Sequence, residues 1–205
     1  MPTVTLGRME LLIEQWLIAD ESIGGVLGLA VVLCLIYEKV WAWPLGVAYV
    51  LVSVSVLYDA QLYANLVLHL VGFLPLNLYG WYHWLFGTEV RDDLPVTRAR
   101  VSTLALLGLL CAGGALGFGW YLTTWTDAAY AYWDSGILFM SLAAMWLTAR
   151  KQIENWIVWV VVNVASVGVY YAQGILIYVL LYAVYIPLAF WGYGTWLRSM
   201  GRRLQ

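Results

Sequence analysis

Two indoles and a carboxamide interrupt an otherwise apolar run, Glu154-Asn155-Trp156-Ile157-Val158-Trp159-Val160-Val161-Val162-Asn163. At about 3.6 residues per helical turn, positions i, i+3 and i+7 share a face, so Trp156, Trp159 and Asn163 form a stripe that Tyr170 extends two turns later. An aromatic wall holding one amide suits a flat, polar, partly aromatic solute. An amide carried into hydrocarbon is costly unless it finds a partner, which makes Asn163 a candidate for a solute pathway. Packing gives a second reading of the same residues: the tryptophans stack between helices and Asn163 bonds a neighbouring helix.

Two further faces carry polar groups. Asn65, His69, Phe73, Leu76 and Gly80 share one helical face, and Tyr178, Tyr182 and Tyr185 share another. His69 reads either as a pathway residue or as a neutral imidazole bonded across helices, and the tyrosines either as a binding wall or as packing. No catalytic constellation accompanies them. His69 and His83 lack the i, i+4 spacing of paired metal ligands on a helix, and no G-x-S-x-G, H-E-x-x-H or phosphate loop occurs. Cys34 and Cys111 lie in apolar segments without metal or disulfide spacing and read as small packing residues. No metal and no cofactor are expected. An intramembrane enzyme or assembly factor built on His69 and Asp59 is the rival class; it would alter its ligand chemically, where a carrier returns it intact.

These residues are positioned by membrane helices. Of 205 residues, 63% are hydrophobic and 11% charged, with mean hydropathy +0.80. No charged residue occurs between Asp59 and Glu89, Arg100 and Asp127, or Glu154 and Arg198. Each interval reaches the roughly 20 residues that cross a bilayer, and the last is long enough for two passes. No basic run follows a phosphate backbone, so nucleic acid is not an expected partner. Seven spans are predicted, over residues 22–37, 40–58, 61–86, 101–122, 134–149, 153–171 and 175–197. Pro44 sits in a first turn, where its missing N–H costs little, and Pro75 predicts a kink. Glycines of the fourth span allow close helix approach. Met9, Leu12, Ile13 and Trp16 share a face, which reads as an interfacial helix. Trp81, Trp84, Trp191 and Trp196 read as an aromatic belt, and Arg150-Lys151 as a topology anchor.

Tyr58, Ala60, Gln61, Pro75, Gly80 and Trp84 recur 112 positions later as Tyr170, Ala172, Gln173, Pro187, Gly192 and Trp196. That is an internal repeat. The expected architecture is an all-α integral membrane protein of seven helices, as two parallel three-helix repeats joined by a linker helix, 3+1+3. Its parts are an interfacial segment at 1–21, the first repeat at 22–88, a charged loop and linker helix at 89–133, the second repeat at 134–198 and a tail at 199–205. Seven spans place Lys39, Arg91, Arg98, Arg100, Arg150, Lys151, Arg198, Arg202 and Arg203 on one side and only Arg8 on the other. The positive-inside rule then puts the C-terminus in the cytoplasm and the N-terminus outside.

With these residues in view, the chain resembles the PnuC family of bacterial vitamin transporters. The resemblance is carried by Gln61-Leu62-Tyr63-Ala64 and Tyr79-Gly80-Trp81-Tyr82-His83-Trp84 in the first half. In the second it is carried by Trp133-Asp134-Ser135, Ala149-Arg150-Lys151 and the W-x-x-W-x-x-x-N element of Trp156, Trp159 and Asn163. It implies a fold similar to SWEET-type sugar transporters, a homotrimer in the bacterial inner membrane, and facilitated diffusion of a vitamin that a cytoplasmic kinase traps by phosphorylation. Nicotinamide riboside is the first expected substrate, thiamine the second, and riboflavin a further alternative. The implied mid-membrane site comprises Trp156, Trp159, Asn163, His69, Asn65, Tyr182 and Tyr178. An aromatic cage of Trp156, Trp159 and Tyr182 would favour a flat cationic heterocycle through cation–π attraction. The sequence departs from the family at His69, often glutamine, and at Leu176, often tyrosine.

Overall fold

Long apolar stretches become helices here because hydrocarbon offers backbone groups no partner outside the segment. The computed structural model describes residues 23–59, 68–87, 94–126, 130–174 and 176–202. The expected interfacial helix, Asn65 and the residues 88–93 of the charged connection lie outside them. Seven helices are found among the described residues. They are α1 (Ile23–Ile36), α2 (Ala42–Asp59), α3 (Leu74–Phe86), α4 (Val101–Trp125), α5 (Ala131–Ala149), α6 (Asn155–Ala172) and α7 (Leu176–Arg202). Helices α4, α6 and the Tyr178–Arg202 part of α7 are long and apolar enough to cross a membrane, whereas the apolar parts described for α1 and α2 are shorter.

Pro75 does not simply kink α3. The helix is entered through a wide π turn, His69–Phe73, in which the Leu74 N–H donates to the His69 carbonyl, so that proline stands in the first turn of the α-helix that follows. Pro75, which has no N–H to donate, thereby stands in a first helical turn, where that donor is least needed. The wide turn also offsets residues before it by roughly 100° from those after it, so the arithmetic that set His69 and Gly80 on one face does not carry across.

Neighbouring helices pair as α2 on α3, α3 on α5, α4 on α5, α5 on α6 and α6 on α7. Gly114 and Gly119 of α4 accept the rings of Phe139 and Tyr132, while Gly108, Gly113 and Gly117 face open space. Helix α1 meets α7, where the Trp196 indole N–H donates to the Leu35 carbonyl (2.8 Å) and Tyr37 stands edge-on to Trp191.

The core gathers at one end of the bundle. Trp43 covers Gly80 and meets Trp84 edge-on at 5.4 Å. Trp156 covers Gly192 and meets Trp196 edge-on, also at 5.4 Å. Trp84 and Trp196 lie 6.1 Å from one another, and the Trp84 N–H donates to the Thr148 carbonyl (3.2 Å). Trp84 and Trp196 are therefore buried core residues, 8% and 0% exposed, and not members of an interfacial belt. The reason is visible in the contacts: glycine one turn before each tryptophan lets a neighbouring indole pack flat against the helix backbone.

The same end holds two matching helix termini. After α1, the Glu38 N–H donates to the Leu35 carbonyl and that of Lys39 to Cys34; after α5, the Lys151 N–H donates to Thr148 and that of Gln152 to Leu147. This doubled bond usually closes on glycine, because its central residue is left-handed. Here Glu38 (φ 56°) and Lys151 (φ 54°) take that conformation, and Lys151 Nζ lies 2.8 Å from Glu38 Oε2. Lys151 also stands 4.7 Å from the Trp84 ring centroid, and its side chain is only 2% exposed. It is thus a buried ion-pair partner, while Arg150 remains exposed and donates to the Tyr79 hydroxyl (3.1 Å).

Candidate functional site

Helix α6 begins where the chain is stitched to the segment before α4. Thr97 exchanges backbone bonds with Lys151 and Ile153, and the Glu154 carboxylate accepts from the Ala99 N–H (2.8 Å). Leu94 and Val96 are buried in the core. These contacts fix the helix entry, and with it the rotation of the Trp156–Asn163 stripe.

Along the stripe, burial is deep except at Trp159, which also makes the one side-chain hydrogen bond seen there among the described residues. Trp156 is 2% exposed with its ring on Gly192, and its indole N–H has no partner. Trp159 is half-buried and donates to the Thr148 hydroxyl at 3.4 Å. Asn163 is 4% exposed, and no hydrogen bond joins its carboxamide to another described residue. An interhelical role for Asn163 would require such a bond. One turn on, Ser166 is fully buried with its hydroxyl unpartnered.

The tyrosine face of α7 meets the far end of this stripe. Tyr170 of α6 stacks on Tyr178 at 5.0 Å and on Tyr182 at 5.4 Å with the planes 10° apart. Tyr185 stands edge-on to Tyr182. Tyr170, Tyr178 and Tyr182 therefore line a seam between α6 and α7, whereas the Trp159 indole N–H turns to Thr148 of α5. The turn between the helices closes on Gly174 in a left-handed conformation (φ 77°), as a helix C-terminus prefers.

His69 sits in the π turn, half-buried and edge-on to Phe73 at 5.2 Å. That turn contacts α2, α3 and α5; the contacts do not bring it to the α6–α7 seam. Leu176 is exposed. Two buried polar residues escape a sequence reading. Asn77 of α3 donates to the Phe73 carbonyl (2.9 Å) with its amide oxygen against Gly46, and Ser166 is the other. The available signal for Ser166 was its i+3 spacing from Asn163. Among the described residues no group of histidine, cysteine and acidic side chains is arranged for a metal ion, and Cys34 and Cys111 are free.

Known proteins resemble this chain in fold and in sequence. The crystal structure of a vitamin B3 transporter PnuC superposes with a TM-score of 0.69 at 20% identity, covering 98% of this chain and 88% of that one. PnuC of Escherichia coli (strain K12), a nicotinamide riboside transporter, is 30% identical over 89% of this chain and 87% of its own. The riboflavin/roseoflavin transporter RibM of Streptomyces davaonensis is 28% identical over 92% and 89%. These relatives are named as transporters, and the family together with the apolar helices makes this a multi-pass membrane protein. With a match over residues 18–198 to the profile described as nicotinamide mononucleotide transporter, the chain belongs to the PnuC family of membrane transporters.

Proposed function

We propose that the protein imports a vitamin by facilitated diffusion and that its substrate is nicotinamide riboside, bound along the α6–α7 seam by Trp156, Trp159, Asn163, Tyr178 and Tyr182. His69 of the π turn and Asn65 join the proposed site on the family resemblance, the contacts of the π turn being with α2, α3 and α5. The observation that carries this reading is Asn163, an amide 4% exposed and without a hydrogen bond from the described residues. Relatives named for nicotinamide riboside support the choice of solute, and the RibM relative supports riboflavin as an alternative. Thiamine, a second flat cationic heterocycle, is the other alternative. The family description names a phosphorylated nucleotide, but the stripe offers no arginine or lysine to receive a phosphate dianion, which favours the unphosphorylated riboside. A cytoplasmic kinase would then trap the imported solute.

The proposed architecture is 3+1+3: α1–α3, a linker helix α4, and α5–α7. Support comes from the paired contacts at the core end. Trp43 on Gly80 beside Trp84 is matched by Trp156 on Gly192 beside Trp196, and the helix termini at Glu38 and Lys151 are built alike. We assign this end to the cytoplasm of a bacterial inner membrane from its basic residues, and a homotrimer from the family resemblance.

The test is a thermal-shift screen of detergent-solubilised protein with nicotinamide riboside, thiamine, riboflavin and their phosphates. A ligand binding only the folded state stabilises it by RT ln(1+[L]/Kd). Nicotinamide riboside is expected to raise the midpoint and its phosphate is not. A shift with thiamine or riboflavin alone would overturn the substrate, and no shift with any would overturn the site.

A further inference from the structure

We propose that Ser166 contacts the substrate directly, reading a hydroxyl of the solute next to Asn163; the inference rests on the function proposed above. The starting point is what buried helical hydroxyls do elsewhere in this chain. Ser135 donates to the Ala131 carbonyl (2.6 Å), Ser141 to Ile137 (2.7 Å) and Thr148 to Ala144 (2.8 Å). A bond to the carbonyl four residues back is local and always within reach of a helical serine. Ser53, 113 positions before Ser166, makes it too, to Tyr49 (2.9 Å).

Ser166 does not. Its residue is 0% exposed and its Oγ has no partner, although the Val162 carbonyl stands four residues back. A buried hydroxyl without a partner loses the hydration it had in the unfolded chain and gains nothing in return. Position gives that cost a use. At about 100° per residue, Ser166 lies about 60° around the axis from Asn163 and about 20° from Trp159, roughly 4.5 Å further along the helix. Tyr170 follows one turn later, stacked on Tyr178 and Tyr182. The hydroxyl is thus set between the amide and the tyrosine stack, on the face that carries the proposed site.

The chemistry of the pair selects the group it reads. Asn163 and Ser166 are each uncharged and each both donate and accept. Two such groups one turn apart match the neighbouring hydroxyls of a sugar-like moiety, which also donate and accept. They do not match a phosphate or carboxylate, for which they supply no charge. In this arrangement the tyrosines hold a flat ring, Asn163 and Ser166 take hydroxyls, and the ligand supplies the partner that Ser166 lacks.

The experiment compares wild-type, Ser166→Ala and Ser166→Cys proteins in detergent, measuring nicotinamide riboside binding by titration calorimetry and the ligand-free melting midpoint. The expected result is a Kd about tenfold weaker in Ser166→Ala and weaker in Ser166→Cys, whose thiol is a poor donor. The ligand-free midpoint should be unchanged or higher, because alanine removes an unsatisfied buried group. A structural hydroxyl would give the opposite sign in the midpoint. Wild-type affinity retained in Ser166→Ala, or a lower ligand-free midpoint with the same Kd, would overturn the inference while leaving the site itself intact. A wild-type protein that binds none of nicotinamide riboside, thiamine and riboflavin would sink the site and this inference together.

Discussion

Removing the Asn163 carboxamide is expected to cost binding and to spare folding. The amide makes no hydrogen bond to another described residue, so Asn163→Leu deprives only the solute of a partner and should weaken nicotinamide riboside binding by about 1–3 kcal/mol. Calorimetric titration and ligand-free melting of the same preparation check both halves. Unchanged affinity with a lowered midpoint would make Asn163 an interhelical tie. Trp159→Leu should also weaken binding, through lost stacking on the solute. At this scale the sequence singles out residues whose type contradicts their surroundings, two indoles and an amide among valines, and the fold buries Trp156 and Asn163. Ser166 and Asn77 were not legible, because serine in a helix ordinarily bonds its own backbone, and Asn77 lies in a segment already crowded with aromatic and polar groups. Lys151 reads in the sequence as a topology anchor, and only the fold reveals the Glu38 carboxylate beside it.

Among the helices, Gly80 and Gly192 are the points of closest approach. A Cβ at either would run into an indole, that of Trp43 or of Trp156, and both indoles are packed on all sides. Gly80→Ala and Gly192→Ala should therefore each destabilise the protein, by about 1–3 kcal/mol as overpacking usually does, whereas Gly108→Ala, facing open space, should not. Thermal unfolding in detergent separates the three. Wild-type midpoints in both core variants would mean that α3 and α7 are freer to shift than their contacts suggest. The helices themselves were legible, because long stretches without charge leave the backbone few alternatives. The π turn at His69–Phe73 was not. Proline announces a lost hydrogen bond, but whether the helix bends, breaks or widens to recover it depends on the neighbours packed against it.

At the level of the whole molecule, the ion pair between Lys151 and Glu38 joins the turn after α1 to the turn after α5. Lys151→Met leaves a largely buried carboxylate without its partner and should destabilise the protein by about 3–5 kcal/mol; replacing both, Glu38→Met with Lys151→Met, should recover most of the loss. A double-mutant cycle read by thermal unfolding checks this, and additive losses would show that the two residues act separately. The proposed orientation has its own measurement: a reporter active only in the cytoplasm should work when fused after Gln205, and a fusion active only outside would reverse the topology. The recurrence of motifs along the chain was legible. How the two halves touch was not, since a shared motif says nothing about which of its residues meet. The Glu38–Lys151 pair also bears on ancestry. These two residues hold the same left-handed place in the matching helix termini, one position off the 112-residue register of the sequence repeat, and they meet each other. A dimer of two identical units would set that position against itself, glutamate on glutamate or lysine on lysine, and like charges buried together disfavour one another. Opposite charges at twin positions are open only to units whose sequences differ, as the two halves of this chain do. In the proposed repeat each half would supply the charge that the other lacks.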